Sequence, residues 1–209
     1  MNWIVETSGT SVDAEIAALP ADMQAALLRL AERIEAVGLA RIEQPHLRQL
    51  KDKLWEIRLS GRDGIVWALN VTAKTRSRAV IEQVFVRKIQ KTPRGHYAVG
   101  RTDGTGDQIM TSLAKLRQLL TDPEVKAEYD RLGPIFAVIG EMVEARQAAG
   151  LTQADIALRM GTSQSVVARL ENARHMPSFD MVARYAAAVD RRLDIHLVPN
   201  AENAAGSVT

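Results

Sequence analysis

The segment that most constrains this chain is residues 151–178, LTQADIALRMGTSQSVVARLENARHMPS. Thr152 and Asp155 have the spacing of a capping box, which predicts that a helix begins there. Gly161 interrupts the helical spacing and predicts a tight turn. The apolar residues on both sides of the turn are spaced to face one core: Ile156, Met160, Val167 and Leu170. The segment therefore predicts two short helices joined by a glycine turn, which is a helix-turn-helix.

The polar side chains of this motif predict a DNA-reading surface. In a helix-turn-helix the start of the second helix enters the major groove and meets the base edges. Glutamine can pair with adenine, arginine with guanine, and serine with either, while a side chain at the start of the first helix can bond to phosphate. The predicted DNA-binding residues are Gln153, Ser163, Gln164, Ser165 and Arg169. Because a single domain of this kind binds weakly, we expect a homodimer on two half-sites about one helical turn apart.

The end of the chain has a different pattern. Within residues 192–198, Leu193, Ile195 and Leu197 alternate with polar residues, which predicts an edge strand that could join the two copies of a dimer. Residues 199–209 are mostly small or polar, and we expect this tail to be disordered.

The first hundred residues predict a mixed domain. Apolar spacing over residues 21–37 predicts a helix that ends at Gly38. Three β-rich runs follow at residues 54–59, 65–71 and 78–86. The first run alternates, with Trp55, Ile57 and Leu59 on one face and Glu56 and Arg58 on the other. The order β-α-α-β-β-β predicts two helices packed on one face of a small, largely antiparallel sheet. In the second half, residues 125–132 and 135–149 predict further helices, one on each side of Gly133–Pro134. The whole chain is therefore predicted to be α+β, with this N-terminal sheet domain followed by an all-α helix-turn-helix domain.

Composition and charge narrow the class of protein. The chain has no cysteine, which excludes disulfides and thiolate metal sites, and it has no apolar run of the roughly 20 residues that span a membrane. We expect a soluble cytoplasmic protein with no metal, no cofactor and no membrane partner. Residues 1–100 carry 15 Lys and Arg against 11 Asp and Glu, whereas residues 101–209 carry 12 against 14. A basic half beside an acidic half predicts that the halves attract each other or that the basic half binds a polyanion.

Basic residues gather at the ends of the predicted strands. A cluster of this kind can hold RNA phosphates and stabilise the charge that develops when a 2′-hydroxyl attacks the neighbouring phosphate. The candidate catalytic residues are Arg58, Arg62, Lys88 and Lys91, and the candidate RNA-binding residues are Arg87 and Arg94. The alternative is an ordinary solvated face, or an ion pair between Arg58 and Glu56.

Both halves resemble known families. Residues 139–189, around the helix-turn-helix, resemble the Cro-like phage-repressor family, and this resemblance implies a buried ion pair between Arg146 and Glu171. LWEIR, a glycine turn, a buried strand and FVRKIQKTP follow one another within residues 1–97. That order resembles the HigB-like, phage Gp49-related branch of the RelE/ParE toxin superfamily, whose members typically cut messenger RNA on the ribosome. The stretch TDPEVKAEYDRLGPIFAVIGEMVEARQAAGLTQ resembles the HigA-like antitoxins that partner these toxins.

The resemblances imply five parts: a toxin domain at 1–99, a linker at 100–110, toxin-neutralising helices at 111–137, a helix-turn-helix domain at 138–198 and a tail at 199–209. They imply a type II toxin–antitoxin protein in a single chain. Its toxin half is a candidate ribosome-dependent mRNA endonuclease, and its antitoxin half neutralises the toxin and binds operator DNA as an autorepressor. The implied partners are operator DNA, messenger RNA on the ribosome, the opposite half and a second copy.

Departures from the toxin pattern keep other functions open. Arg87 and Ile89 replace a lysine and a threonine of the family's KKTQKTP-like run, and the strand at 65–71 lacks the arginine that many relatives carry. The alternative function is a transcriptional repressor with a catalytically inactive toxin-like domain. A third is an active ribonuclease that the second half only targets or restrains.

Overall fold

The computed structural model describes residues 3–39, 42, 47–51, 53–60, 65–72, 77–87, 111–171 and 176–197. The N-terminal half contains β1 (Ile4–Thr7), α1 (Thr10–Ala17), α2 (Ala21–Val37), β2 (Leu47–Lys51), β3 (Leu54–Ser60), β4 (Ile65–Thr72) and β5 (Arg78–Arg87). The C-terminal half contains β6 (Thr111–Ser112), α3 (Leu113–Leu116), a 3₁₀ helix (Arg117–Thr121), α4 (Pro123–Ala148), α5 (Gln153–Arg159), α6 (Gln164–Leu170) and α7 (Phe179–Ala188).

The described strands form one sheet in the order β2-β3-β4-β5-β1-β6. β1 runs parallel to β5, and the other neighbouring strands are antiparallel. On β3 the predicted apolar face is in the core at Ile57 and Leu59, which are each 1% exposed. On the opposite face Arg58 is half-buried, whereas Glu56 is 3% exposed, so burial does not alternate along the whole strand. The structure confirms the predicted α+β class with its largely antiparallel N-terminal sheet.

The sheet contains a strand that the sequence pattern did not predict. β2 pairs with β3 as an antiparallel hairpin at the edge of the sheet, so four strands follow α2 where three were predicted. An edge strand is paired on one side only and tolerates polar residues. The sequence LRQLK has that polar character, and its alternation is too weak to predict a strand.

The helix α2 is buried between the sheet and the C-terminal half. Its predicted stripe is confirmed at Met23, Leu27, Leu30 and Ile34, which are all at most 2% exposed. Its other faces also contain buried residues, because α3 and α4 pack against them. The hydrophobic core of the N-terminal half therefore continues into the C-terminal half.

α4 is a single helix across a proline. The sequence predicted separate helices at 125–132 and 135–149, but the structure has one helix from Pro123 to Ala148 with Pro134 inside it. A proline removes one intrahelical hydrogen bond and strains the preceding turn. Burial of Leu132, Ile135 and Ile139 in the shared core holds the helix together through this point. The predicted domain boundary between 137 and 138 lies within α4.

The C-terminal segment does not form the predicted edge strand. Residues 191–197 have no regular structure, and Leu197 is 98% exposed. A strand needs a partner to receive its hydrogen bonds, and no described strand lies beside this segment. The predicted tail at 199–209 and the predicted linker at 100–110 lie outside the described residues. None of the helices in the described part of the chain combines the length and apolar content that crossing a membrane requires.

Candidate nucleic-acid interfaces

The helix-turn-helix is built as the sequence predicts. The capping box is present, since the Thr152 hydroxyl accepts from the Asp155 N–H at 3.2 Å and the Asp155 carboxylate accepts from the Thr152 N–H at 2.8 Å. The Thr152 hydroxyl also donates to the Asp155 carboxylate at 2.7 Å, and this hydrogen bond, followed by the one from the Thr152 N–H, holds the pKa of Asp155 below its usual value. Gly161 adopts a φ of 62° and turns the chain, which suits glycine because side chains disfavour this region. Ser163 then occupies the N-cap position of α6.

Two glutamines connect the predicted DNA surface to the interior. The Gln153 side-chain amide donates to a Glu171 carboxylate oxygen at 2.9 Å, and the Gln164 amide donates to the Gln153 carbonyl oxygen at 3.0 Å. These two hydrogen bonds form a relay from Glu171 through Gln153 to Gln164. Glu171 is 3% exposed, so the relay begins at a buried group and ends at an exposed side chain at the start of α6. The side chain of Gln164 is therefore oriented by a chain of hydrogen bonds that is anchored in the core.

Glu171 is the centre of a buried polar network. Its two carboxylate oxygens accept from Arg146 Nε at 2.8 Å and Arg146 Nη2 at 3.0 Å, and the Tyr185 hydroxyl donates to it at 2.6 Å. The Arg146 and Glu171 side chains are 1% and 2% exposed, which confirms the ion pair implied by the family resemblance. Burial, followed by the charge of Glu171, raises the pKa of Tyr185 far above its usual value.

Tyr185 is the member of this network that the sequence analysis missed. It lies on α7, where Val182, Tyr185 and Ala188 form a buried stripe. A tyrosine within an apolar stripe at helical spacing is the signal that could have indicated a buried hydroxyl needing a partner.

The remaining predicted DNA-binding residues lie on the exposed side of α6. Ser163, Gln164, Ser165 and Arg169 are all exposed. The Ser163 and Ser165 hydroxyl oxygens are 2.9 Å apart, and Arg169 follows Ser165 by one helical turn. The structure therefore gathers the five predicted side chains at one end of α5 and along one side of α6.

On the N-terminal sheet, Arg58 is ion-paired. Arg58 Nε donates to Glu56 Oε1 at 2.6 Å, and the two side chains are 34% and 4% exposed. The alternative considered for Arg58 from the sequence, a salt bridge with Glu56, is therefore present. The pair lies on the face of β3 opposite Ile57 and Leu59, which belong to the core.

The backbone register relates Arg58 to the end of β5. Ser60 pairs with Ile65, and Ile65 pairs with Arg87, so the last residues of β3 and β5 are level across β4. Strand spacing and rise then put the Arg58 and Arg87 backbones roughly 12 Å apart. The side chain of Arg87 is outside the described part of the structure, and so are Arg62, Lys88, Lys91 and Arg94. Their roles stay predictions.

The comparisons agree with the Gp49-related and helix-turn-helix resemblances, and they do not test the HigA-like one. Residues 14–102 match the family described as phage derived protein Gp49-like (DUF891), and residues 142–195 match the helix-turn-helix family. The chain matches no curated protein. The chain thus has a region similar to the Gp49-like family followed by one similar to the helix-turn-helix family, and this order matches the arrangement of a fused toxin and antitoxin.

Proposed function

We propose that this chain is a type II toxin–antitoxin protein in one polypeptide. Its N-terminal half is a ribosome-dependent mRNA endonuclease, and its C-terminal half neutralises that activity and represses its own promoter. The observation that carries the proposal is the path of α4, which contributes to the core of the Gp49-like half and then continues into the helix-turn-helix. The division at 1–99, 100–110, 111–137, 138–198 and 199–209 belongs to this proposal.

Neutralisation is supported by the way in which the C-terminal half completes the N-terminal core. Leu113, Leu116 and Val125 are 2%, 5% and 1% exposed against it. Exposing a leucine or valine of this kind costs about 1.5–3 kcal/mol. Because several such residues are buried together, separation of the halves is strongly unfavourable in an intact chain.

A polar contact joins the halves at the edge of the sheet. β6 pairs with β1, and the Asp13 carboxylate accepts from the Thr7 hydroxyl at 2.6 Å and from the Thr111 hydroxyl at 2.6 Å. Thr7 and Thr111 are 0% and 2% exposed. The contact fixes where the C-terminal half begins to pack on the toxin-like half.

For RNA cleavage, Arg58 has a suitable chemistry. A guanidinium carries five N–H donors, so Arg58 can remain oriented by Glu56 and still bind a phosphate oxygen. We assign Arg58, Arg62, Lys88 and Lys91 to stabilisation of the charge that develops at the attacked phosphate. Arg87 and Arg94 then hold the flanking RNA backbone.

For DNA reading, the relay from Glu171 supports the role of Gln164. A primary amide has two N–H groups and a carbonyl oxygen, so Gln164 can bond to Gln153 and also pair with adenine. Gln153 and the two serines are suited to phosphate and base contacts, and Arg169 to guanine. A homodimer is the expected DNA-binding form, because two half-sites are needed for tight binding.

The test is to express residues 1–110 in bacteria, alone and together with residues 111–209 from a second plasmid, and to follow growth and transcript cleavage. The proposal expects growth arrest with cut transcripts from the first fragment, rescue by the second, and no toxicity from an Arg58→Ala fragment. The control is tryptophan fluorescence of the purified fragment, because Trp3, Trp55 and Trp67 all lie within it.

The second candidate is a repressor with an inactive toxin-like domain. It is favoured by the ion pair itself, because a carboxylate 2.6 Å from Arg58 already neutralises part of its charge. A fragment that is folded by fluorescence and cuts no transcript, with operator binding intact in the full chain, would select this candidate.

A further inference from the structure

Two arginines of α2 reach across to the main chain of α4. Arg29 donates to the Tyr129 carbonyl oxygen from Nε at 3.2 Å and from Nη2 at 2.9 Å, and its guanidinium lies 3.5 Å from the centre of the Tyr129 ring. Arg33 Nη2 donates to the Gly140 carbonyl oxygen at 3.3 Å. The contacts advance along both helices in the same direction, and the two carbonyl groups that accept them are eleven residues, or about three turns, apart on α4.

Each arginine lies over a glycine of α4. A Cβ atom on Gly133 would stand 2.7 Å from Arg29 Nη2, and one on Gly140 would stand 2.7 Å from Arg33 Nη1. A side chain at either position would push the guanidinium end of the arginine aside. Because this end is flexible, a methyl group requires only a small shift, whereas a side chain as large as leucine requires a large one. Glycine is disfavoured inside helices. At these two positions its presence is explained by packing, because the arginine side chains occupy the space that a Cβ atom would need.

The surroundings make the two contacts specific. Burial lowers the pKa of Arg33 from its usual value, and the charges of Glu144 and Glu171 oppose this shift. Glu32, between the arginines on α2, accepts from the Tyr129 hydroxyl at 2.6 Å and from Arg117 Nη2 at 3.1 Å. Both arginines are half-buried, so a guanidinium that loses its carbonyl partner is only partly compensated by water. A helix that offers no accessible carbonyl at these points is therefore disfavoured.

We propose that Arg29 and Arg33 recognise α4 through Gly133 and Gly140, and that this arginine–glycine lock decides which helix the toxin-like half accepts. The accepted partner is a helix with glycine at two positions seven residues apart on the face that meets α2. Helices that are equally apolar but carry side chains at those positions are excluded. The link to neutralisation rests on the proposed function, whereas the lock itself is a property of the full chain.

The test compares two double variants of the full-length protein by amide hydrogen exchange. Gly133→Leu with Gly140→Leu fills both glycine positions. The matched control, Ala127→Leu with Ala137→Leu, adds leucines at two exposed positions of the same helix. Exchange is read in peptides from α2 and, separately, from α5 and α6.

The lock predicts that the glycine variant exchanges at least about tenfold faster in α2, while the alanine variant stays within about twofold of the wild type. Exchange in α5 and α6 should stay unchanged in both. Wild-type exchange rates in α2 of the glycine variant would overturn the proposal.

A milder pair of changes decides the matter if the leucine variant unfolds throughout. Gly133→Ala with Gly140→Ala should speed exchange of α2 in the wild-type background. When Arg29 and Arg33 are also replaced by alanine, no guanidinium lies over the glycines. The two Gly→Ala changes should then slow the exchange of α2, because the added methyl groups only raise the helix propensity of α4. An effect of the same sign in both backgrounds would refute the lock.

Growth of cells expressing these variants separates the lock from the proposed function. Growth arrest by the glycine variant agrees with both. Fast exchange in α2 with normal growth leaves the lock standing and counts against neutralisation of an active toxin.

Discussion

Replacing Arg146 by methionine should cost the helix-turn-helix most of its stability. The change leaves the Glu171 carboxylate, 3% exposed, with Gln153 and Tyr185 as its remaining described donors. Removing one partner of a buried ion pair costs about 3–5 kcal/mol, because the other charge stays buried without compensation. The region matched to the helix-turn-helix family spans 142–195. At about 0.05–0.15 kcal/mol per residue, a unit of that size has a free energy of unfolding of about 3–8 kcal/mol.

The assay is urea denaturation followed by two probes. Far-UV circular dichroism reports on all helices, whereas tryptophan fluorescence reports on the N-terminal half alone, because Trp3, Trp55 and Trp67 all lie there. We expect Arg146→Met to split the transition, with an early loss of helix signal and an unchanged fluorescence midpoint. Replacing Glu171 by methionine as well should recover much of the loss, since no unpaired charge then remains buried.

A matched control distinguishes the loss of a buried ion pair from the loss of an exposed one. Arg192 is 90% exposed and lies 3.9 Å from Asp194, so Arg192→Met removes an ion pair of the exposed kind. That change should alter stability by less than about 0.5 kcal/mol. The reasoning is refuted if Arg146→Met costs no more than this control, or if the double variant is less stable than the single one.

Three further outcomes follow from the site. Gln164→Ala should weaken binding to operator DNA by about 1–3 kcal/mol in an electrophoretic mobility titration at fixed salt, with an unchanged circular dichroism spectrum; equal loss on unrelated DNA would contradict base reading. Burial, and then Glu171, raise the pKa of Tyr185 in the folded state, whereas tyrosine in an unfolded chain titrates near about 10. The contribution of Tyr185 to stability is therefore complete below about pH 10 and is lost as the pH rises above it, and Tyr185→Phe should flatten this alkaline decline in pH-dependent urea midpoints. Gly161 has a φ of 62° with nothing near its missing Cβ, so Gly161→Ala should cost about 1 kcal/mol through backbone strain alone, and Gly161→Asn, which tolerates this conformation, should cost less.

The helix-turn-helix could be predicted in detail because its determinants are local. The capping box at Thr152, the turn at Gly161 and the apolar spacing all act within a few residues. The same local reasoning failed at α4, where the Gly133–Pro134 pair indicated a break. Burial against α2 outweighs the lost hydrogen bond there, and burial against a segment 100 residues away leaves no mark in local spacing.

The toxin-like site was less predictable for a related reason. The alternation on β3 gave the correct face for Arg58, and the pairing with Glu56 followed from their spacing of two residues. The polar strand β2 had too little apolar pattern to be recognised. The local pattern of α2 does not distinguish Arg29 and Arg33 from solvent-facing residues of an amphipathic helix, because only the tertiary fold reveals that α4 covers that face of α2.

The position of α4 also explains why a destabilising substitution in the helix-turn-helix should unfold that part of the chain before the N-terminal half. Leu132, Ile135 and Ile139 belong to the core shared with the sheet, whereas Met142 belongs to the separate core of α5, α6 and α7. Loss of the second core therefore removes no burial from the first three residues, and α4 can fray from its C-terminal end while its N-terminal part stays docked on α2. The lock contact at Gly140 lies about two turns before that end, and Val143 beyond it still belongs to the first core. Of the two lock contacts it is therefore the one closer to such fraying. An unfolded helix-turn-helix should therefore abolish operator binding before it releases the toxin-like half, and the split transition of Arg146→Met measures that order.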